Sequence, residues 1–522
     1  MFKRITIAAL VSLMATGAFA QSSTVKNIYR TIKDTYETKA DTMTSAFIES
    51  FMIKDKGYFN VSYKHYAFNA YWTQAHAIDV VVYAYERYKN INRTLASKYL
   101  NYIKLWYKNK ANNYAGSAAS NSTTPNTTSD YRMFENPYTD DMCWITLTLL
   151  HISEATGTSA YATVARQVFD NYIIKRATED EETGGLKLPW HTNGGGEGPN
   201  ACTQSPATLI AAKLYKRYGT AKYLDYAKKL YTYTAKKIVK SDGRVEEPPL
   251  TYTQGTFGEA CRMLYHITDE GATMKNKYKN FAFTYLNYAF TSGRCTNGNN
   301  ILRHEGTSGD QSIFKAILIP YAVNFVLDEE MPSTNRVNLS KLILKNTQTM
   351  WKNLDISRYP IVFVDYIWTS KWTGADEDAS MGAACSGASL VENTARMYRA
   401  ITDRYELGTL YTECSNLYIE PGHEGDAELA AFNTAMEKAK KILDDPSSYK
   451  PHEFRDAIEK LQAVYEIARE YTTGIEEIHN SQFVLTGDVY DLLGRKIGSE
   501  KWVNGKLPAG IYVIGGKKVY LR

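Results

Sequence analysis

The chain has little that would tie it to a metal, a nucleic acid or a membrane. Its six cysteines, Cys143, Cys202, Cys261, Cys295, Cys385 and Cys414, are scattered over 522 residues with no CxxC pair and no Cys/His cluster at metal spacing. Neither a zinc site nor a disulfide framework is implied, although an oxidising compartment would permit a disulfide. A formal charge of +5 is too dilute over that length to mark a nucleic-acid binder. Beyond the first residues no run approaches the ~20 apolar residues that a membrane span requires. The expectation is therefore a chain with no metal, no cofactor, no nucleic-acid partner and no membrane span. A monomer is expected.

What the chain does have is an export-like start. "MFKRITIAALVSLMATGAFAQ" places Lys3 and Arg4 before an apolar stretch from Ile5 to about Ala15, then Ala18-Phe19-Ala20 as a small-x-small cleavage site. Residues 1–20 read as a signal peptide, and the mature protein is expected in the periplasm, at the cell surface or outside the cell. Residue 21 is Gln, not Cys, which argues against a lipoprotein anchor. The length exceeds what one hydrophobic core usually serves, so one large domain with smaller appendages is expected. Tyrosine is abundant, with 41 copies beside 8 tryptophans. These flat faces with a polar handle suit sugar rings, although most tyrosines in a helical protein are wall.

Periodicity predicts helices over Thr24 to Met52, Trp72 to Tyr88, Arg93 to Lys108, Asp140 to Glu154, Ser159 to Lys175, Ala201 to Tyr218, Ala221 to Ile238, Gln254 to Ile267, Met274 to Phe290, Asp310 to Leu327, Asn335 to Trp351 and Cys385 to Thr402. They alternate in kind. Asp141 to Ile152 is apolar on most faces and should be buried, whereas "SAYATVARQVFDNYII" carries one apolar stripe, Tyr161, Val164, Ala165, Val168, Phe169 and Tyr172. Every second helix starts near Trp72, Asp140, Ala201, Gln254, Asp310 and Cys385, at gaps of 68, 61, 53, 56 and 75 residues. Six helix hairpins at loose periodicity predict an all-α fold, an (α/α)6 barrel or α-toroid over residues 21–404, with an open solenoid as the alternative. Residues 405–473 read as a three-helix accessory module. Residues 474–522 switch to period two, "QFVLTGDVYDLLGRKIG" and "GIYVIGGKKVYLR", and read as a short β tail.

The loops entering the inner helices hold the chemistry-bearing residues, and a toroid would gather them at one rim. In "NPYTDDMCWITLTLLHI" two bare carboxylates, Asp140 and Asp141, precede a buried helix. Capping explains their position: Thr139 and the aspartates could satisfy the first N–H groups and complement the dipole. Catalysis is the other reading. Two carboxyls so close do not both ionise easily, so one can keep a proton as general acid. Trp72, Tyr138, Trp190, Tyr252 and Phe257 are candidates to stack on sugar rings. Asn200, Gln254, Asp310 and Gln311 are candidates to bond sugar hydroxyls. His191, Arg303 and His304 stay open, and Asp376-Glu377-Asp378 reads as a solvated loop.

These motifs together resemble glycoside hydrolase family 76, the endo-α-1,6-mannanases, over about Thr24 to Thr402. The resemblance is carried by "YTDDMCW", "GGLKLPW", "PNACTQSPATLIAAKLY", "TYTQGTFGEA" and "GDQSIFKAILIPY", in that order and spacing. Met142 and Cys143 depart from the family's usual small or acidic residue and second Trp. An Asn/Ser/Thr-rich insertion, Ala111 to Asp130, precedes the motif. Both bear on the shape of the cleft rather than on the carboxylates. The resemblance implies an exported, endo-acting, retaining hydrolase of α-1,6-mannan, with Asp140 as nucleophile and Asp141 as acid/base; the residues by themselves leave that order open. An unsaturated glucuronyl hydrolase on the same fold and a non-catalytic glycan-binding toroid are the alternatives. The 405–473 segment resembles the FIVAR type of accessory module. The tail resembles the terminal β segments of Bacteroidetes exported proteins, some of which are sorting signals.

Overall fold

The computed structural model describes residues 36–65, 71–90, 92–109, 131–192, 198–246, 248–419, 422–423, 425–449, 451–478 and, in the tail, 489–490, 495–498, 510–514 and 517–521. The expected signal segment, the predicted helix start at Thr24, the insertion Ala111 to Asp130 and most of the tail lie outside them. Helix α1 covers residues 36–51. It is followed by α2 (Tyr71–Tyr88), α3 (Arg93–Lys108), α4 (Thr139–Thr156), α5 (Ser159–Val168), α6 (Ala201–Tyr218), α7 (Ala221–Tyr233), α8 (Thr251–Ile267), α9 (Ala272–Thr291), α10 (Phe314–Leu327), α11 (Ser333–Lys352) and α12 (Met381–Ser415). The fold is an (α/α)6 toroid: even-numbered helices line the lumen and odd-numbered helices wrap them.

The two kinds of helix are what the apolar pattern demands. Inner α4 buries every side chain from Met142 to Leu150, while outer α5 buries one stripe, Tyr161, Ala162, Val164, Ala165 and Val168. Both α5 and α7 widen into a π-helical last turn, Phe169–Ile173 and Thr234–Ile238, which extends them to about the predicted ends. Gly255 lets two inner helices meet, since a Cβ there would lie 2.8 Å from the Leu318 Cα on α10. Pro320 removes the N–H that would bond the Ala316 carbonyl, and the Ser389 hydroxyl on α12 supplies that bond at 2.9 Å.

The contacts of α12 decide between ring and solenoid. On one side Ser386 Oγ and Ser389 Oγ donate to the Ser312 and Ala316 carbonyls at 2.9 Å each. On the other side the Cys385 thiol donates to the His76 carbonyl at 3.4 Å, and buried Glu392 receives Arg87 Nε at 2.8 Å and Nη2 at 3.0 Å. The last inner helix thus bonds to the first, α2, and the ring is closed. Two short antiparallel hairpins were not expected: β1 (Met52–Ile53) with β2 (Tyr58–Phe59), and β3 (Thr178–Asp180) with β4 (Gly185–Lys187). Strands of two or three residues are too short to show a period.

The chain divides into two compact units, residues 1–397 and 398–522. The predicted boundary at 404/405 falls inside α12, which continues to Ser415 instead of ending at Thr402. The end of α12 packs with α13 (Ala427–Asp444) and α14 (Pro451–Glu470) around Leu407, Leu429, Phe432, Ile442, Ile458 and Leu461. These helices form a bundle, built at Leu407 and Leu410 on the continued helix. The strands of the same unit form one sheet in the order β5 (Leu417–Ile419), β6 (Thr472–Ile478), β10 (Lys517–Leu521), β9 (Gly510–Ile514), β7 (Val489–Tyr490) and β8 (Lys496–Gly498). Its first strand comes from within the segment read as purely helical, so bundle and tail share a sheet. Among the described strands only β6 and β10 pair in parallel.

Candidate active site

The N-terminal ends of the inner helices converge on one mouth of the lumen, bringing together the positive ends of their dipoles. At α4 the N-cap is Tyr138, and no side chain closes it. The Thr139 N–H donates instead to the Trp190 carbonyl at 2.6 Å, and the Thr139 hydroxyl accepts from Arg176 Nη1 at 2.9 Å. Arg176 also donates to the carbonyls of Pro137 (3.1 Å) and Asn136 (3.0 Å), fixing the turn from outside. The expected capping by Thr139 is therefore absent, and the turn is held without consuming Asp141.

The two carboxyls are not equivalent. Asp140 Oδ2 accepts the Cys202 thiol at 3.2 Å, while the buried Oδ1 has no hydrogen-bond partner among the described residues. Burial pushes the Asp140 carboxyl above its usual range; the Cys202 thiol and the first-turn N–H groups pull it back, and Asp310 pushes it up again. Asp141 is raised well above that range by burial, then by the charge of Asp140 and of Asp310, with no hydrogen bond to offset them. Of the two carboxyls, Asp141 is the one pushed further toward its protonated form.

A belt of rings joins the inner helices near the pair. Trp72 and His76 of α2 lie 5.5 Å apart, His76 and Trp144 of α4 5.2 Å, Trp144 and Tyr252 of α8 5.9 Å, Tyr252 and Phe314 of α10 4.3 Å, and Phe314 and Trp72 6.1 Å. The belt floors the mouth across the lumen. Trp72 Nε1 also donates to Asp310 Oδ1 at 2.9 Å, which brings that carboxylate to the same rim. At the lip Tyr138, 40% exposed, stands against Trp190 (5.7 Å) and His191 (5.8 Å), whose rings are 4.4 Å apart.

Of the residues expected at the rim, Asp140, Asp141, Trp72, Tyr138, Trp190, Tyr252 and Asp310 come together. Asn200 caps α6, accepting the Thr203 N–H at 3.0 Å, two residues before Cys202. Exposed Gln311 folds over Gly306, where the backbone at φ +135 brings its amide to within 1.7 Å of a hypothetical Cβ. Two expectations are corrected. Gln254 is fully buried, and its amide donates to the Gly243 carbonyl (3.1 Å) and accepts the Val245 N–H (2.7 Å), so it serves the loop before α8. Phe257 is fully buried between Tyr231 (5.7 Å) and Tyr285 (5.1 Å), in the wall between inner and outer helices. Asp376 pairs with Arg358 Nη2 at 2.7 and 2.9 Å. Cys202, Trp144, His76 and Phe314 were missed.

Below the belt lies a cavity of about 140 Å³ lined by Asp79, Tyr83, Glu86, His151 and Arg396 among others. His151 Nδ1 bonds Asp79 at 2.8 Å and Nε2 bonds Glu86 at 3.3 Å. Burial pulls His151 down, but the two carboxylates outweigh it and raise the imidazole to about 9.

Comparison with known proteins bears on this mouth. The sequence model described as glycosyl hydrolase family 76 matches residues 25–402. The chain belongs to that family. Among solved structures, the family 76 α-1,6-mannanase GH76A of Salegentibacter sp. HEL1_6 shares 23% identity over 69% of this chain and 98% of its own, with a TM-score of 0.56. An inactive variant of that enzyme, with two consecutive aspartates changed to alanine, was solved with α-1,6-mannotetrose; it matches at 21% identity over 69% of this chain and 98% of its own, with a TM-score of 0.57. The Lin0763 protein of Listeria innocua matches at 22% over 70% of this chain and 97% of its own, with a TM-score of 0.55. At these identities the likeness establishes the shared toroid. No curated protein matches.

Proposed function

We propose that the protein is an endo-acting glycosidase that cleaves α-1,6-mannosidic bonds of mannan backbones with retention of configuration. The observation that carries this is the asymmetric pair at the mouth of α4, with one carboxyl oxygen free to attack and a neighbouring carboxyl that keeps its proton. Asp140 Oδ1 attacks the anomeric carbon as Asp141 gives its proton to the departing glycosidic oxygen, forming a mannosyl ester. Asp141, now ionised, takes a proton from water; the hydroxide attacks the same carbon and releases Asp140. Inactivation of a family relative by replacing two consecutive aspartates, and its complex with an α-1,6-linked tetrasaccharide, support the reading. An open rim with Tyr138 and Trp190 at the lip suits a chain threading past the site rather than a closed end pocket.

Export is also proposed, on the charged, apolar and small-residue order of the first twenty residues; no described helix is long and apolar enough to cross a membrane. The test of activity is linear α-1,6-mannan. New reducing ends on oligosaccharide products are expected with the wild-type chain and not with Asp140→Ala. Retention on a mannan affinity gel with no product from the wild type would show a binding protein instead.

A further inference from the structure

We propose that Cys202 is a positioning residue for the nucleophile: its thiol holds Asp140 Oδ2 and so presents Oδ1 to the anomeric carbon. The proposal rests on the functional reading above and adds to it the means by which the attacking oxygen is chosen. The thiol lies 3.2 Å from Oδ2, and among the described residues it is the side-chain donor to that carboxyl. Among the described residues Oδ1, buried on the same carboxyl, has no hydrogen-bond partner. The Tyr252 hydroxyl, at the edge of the aromatic belt, is a neighbour of the sulfur, and the thiol's own donor contact is to Asp140. A cysteine chosen only as a small apolar filler would not require a hydroxyl on one side and a carboxylate on the other.

The chemistry favours a weak donor at this place. Burial first, then Asp140, keeps the Cys202 thiol well above its usual range, so it stays protonated and donates. When Oδ1 becomes the ester oxygen, Oδ2 becomes an ester carbonyl, a poorer acceptor than a carboxylate. A bond that was strong to the carboxylate would be lost in reaching the ester, and a thiol loses less than a hydroxyl would. Orientation is thus obtained with little cost to nucleophilicity.

The test compares Cys202→Ala and Cys202→Ser with the wild type on an aryl α-mannoside and on linear α-1,6-mannan. Asp141 on α4 and Asp310 before α10 also act on Asp140 and are unchanged in both variants. Cys202→Ala is expected to lower kcat/KM by about tenfold to a hundredfold. Its acidic limb should move up by about one pH unit, because a donor to the ionised form is lost. The KM for mannan should stay close to wild type. Cys202→Ser, which keeps a donor, should hold the acidic limb at or below its wild-type position. If Cys202→Ala does not fold, Tyr252→Phe takes its place: it keeps the ring in the belt, removes the hydroxyl beside the sulfur, and should move the limb the same way by less. An unmoved limb in whichever of these two variants folds overturns the proposal, as does equal loss in Ala and Ser variants with no limb shift. The wild-type rate in the same assays separates the two readings. No turnover by the wild type sinks the functional reading and this proposal with it, whereas an active wild type beside an unmoved limb sinks this proposal alone.

Discussion

In the proposed mechanism two neighbouring aspartates take opposite roles because one is served by donors and the other is not. Asp140 has the thiol and the first-turn N–H groups, whereas Asp141 has only burial and two nearby negative charges. Activity then requires Asp140 ionised and Asp141 protonated, so the pH profile should be bell-shaped, with its basic limb set by Asp141. Removing Asp141 should slow attack on polymer far more than attack on dinitrophenyl α-mannoside, whose leaving group needs no proton, and should abolish the basic limb for that substrate. The mannosyl ester should accumulate, and azide, which needs no deprotonation, should rescue turnover as α-mannosyl azide. An α-mannosyl azide from Asp140→Ala together with the β-azide from the Asp141 variant would exchange the two roles. The carboxylates were legible in the sequence because bare acids before a buried run are conspicuous. Cys202 was not: nothing in "PNACTQSP" shows that its thiol meets a carboxylate 62 positions earlier.

At the scale of the helix, facing decides which rim residues reach the mouth. Trp72 and His76, like Asp140 and Trp144, are four apart and share a face. Tyr252 and Phe257 are five apart, about 140° around the helix, and Gln254 stands about 160° from Tyr252. One of the three was bound to face the lumen and the others the wall or loop, so treating "TYTQGTFGEA" as one rim segment over-assigned it. Angular bookkeeping on the sequence would have removed Gln254 and Phe257 and added His76 and Trp144. The inner helices are also clamped by charge deeper in the lumen, where His151 of α4 joins Asp79 and Glu86 of α2. Because its imidazole is raised from 6.5 to about 9, the clamp's contribution to stability is fully present below about pH 6.5 and is lost as pH rises through about 9. Chemical denaturation at several pH values should show that loss in the wild type. In His151→Gln the decline over this window should be smaller; an identical decline would mean that other groups set it.

For the whole molecule, the alternation of fully buried and one-sided helices was enough to read a toroid or a solenoid, since only a ring or a stack buries every second helix on all sides. Closure was not readable, because it rests on single bonds from α12 to α2 and α10 that join residues up to 309 positions apart. Nor was the helix that runs through the predicted boundary: its apolar pattern changes partners, from toroid wall to bundle core, without a break in helical period. Every residue placed at the mouth precedes Met397. A chain ending after Arg404 and shown by circular dichroism to be folded should therefore hydrolyse soluble mannan at close to the full rate; a folded but inactive product would mean that the second unit completes the site. The central claim is retaining cleavage by the adjacent pair, and proton magnetic resonance of the first products from linear α-1,6-mannan tests it most directly. The α-anomer of the new reducing end should appear first and then equilibrate with the β-anomer. The β-anomer appearing first would contradict the account, since inversion needs a water between carboxyls about 6.5–9.5 Å apart.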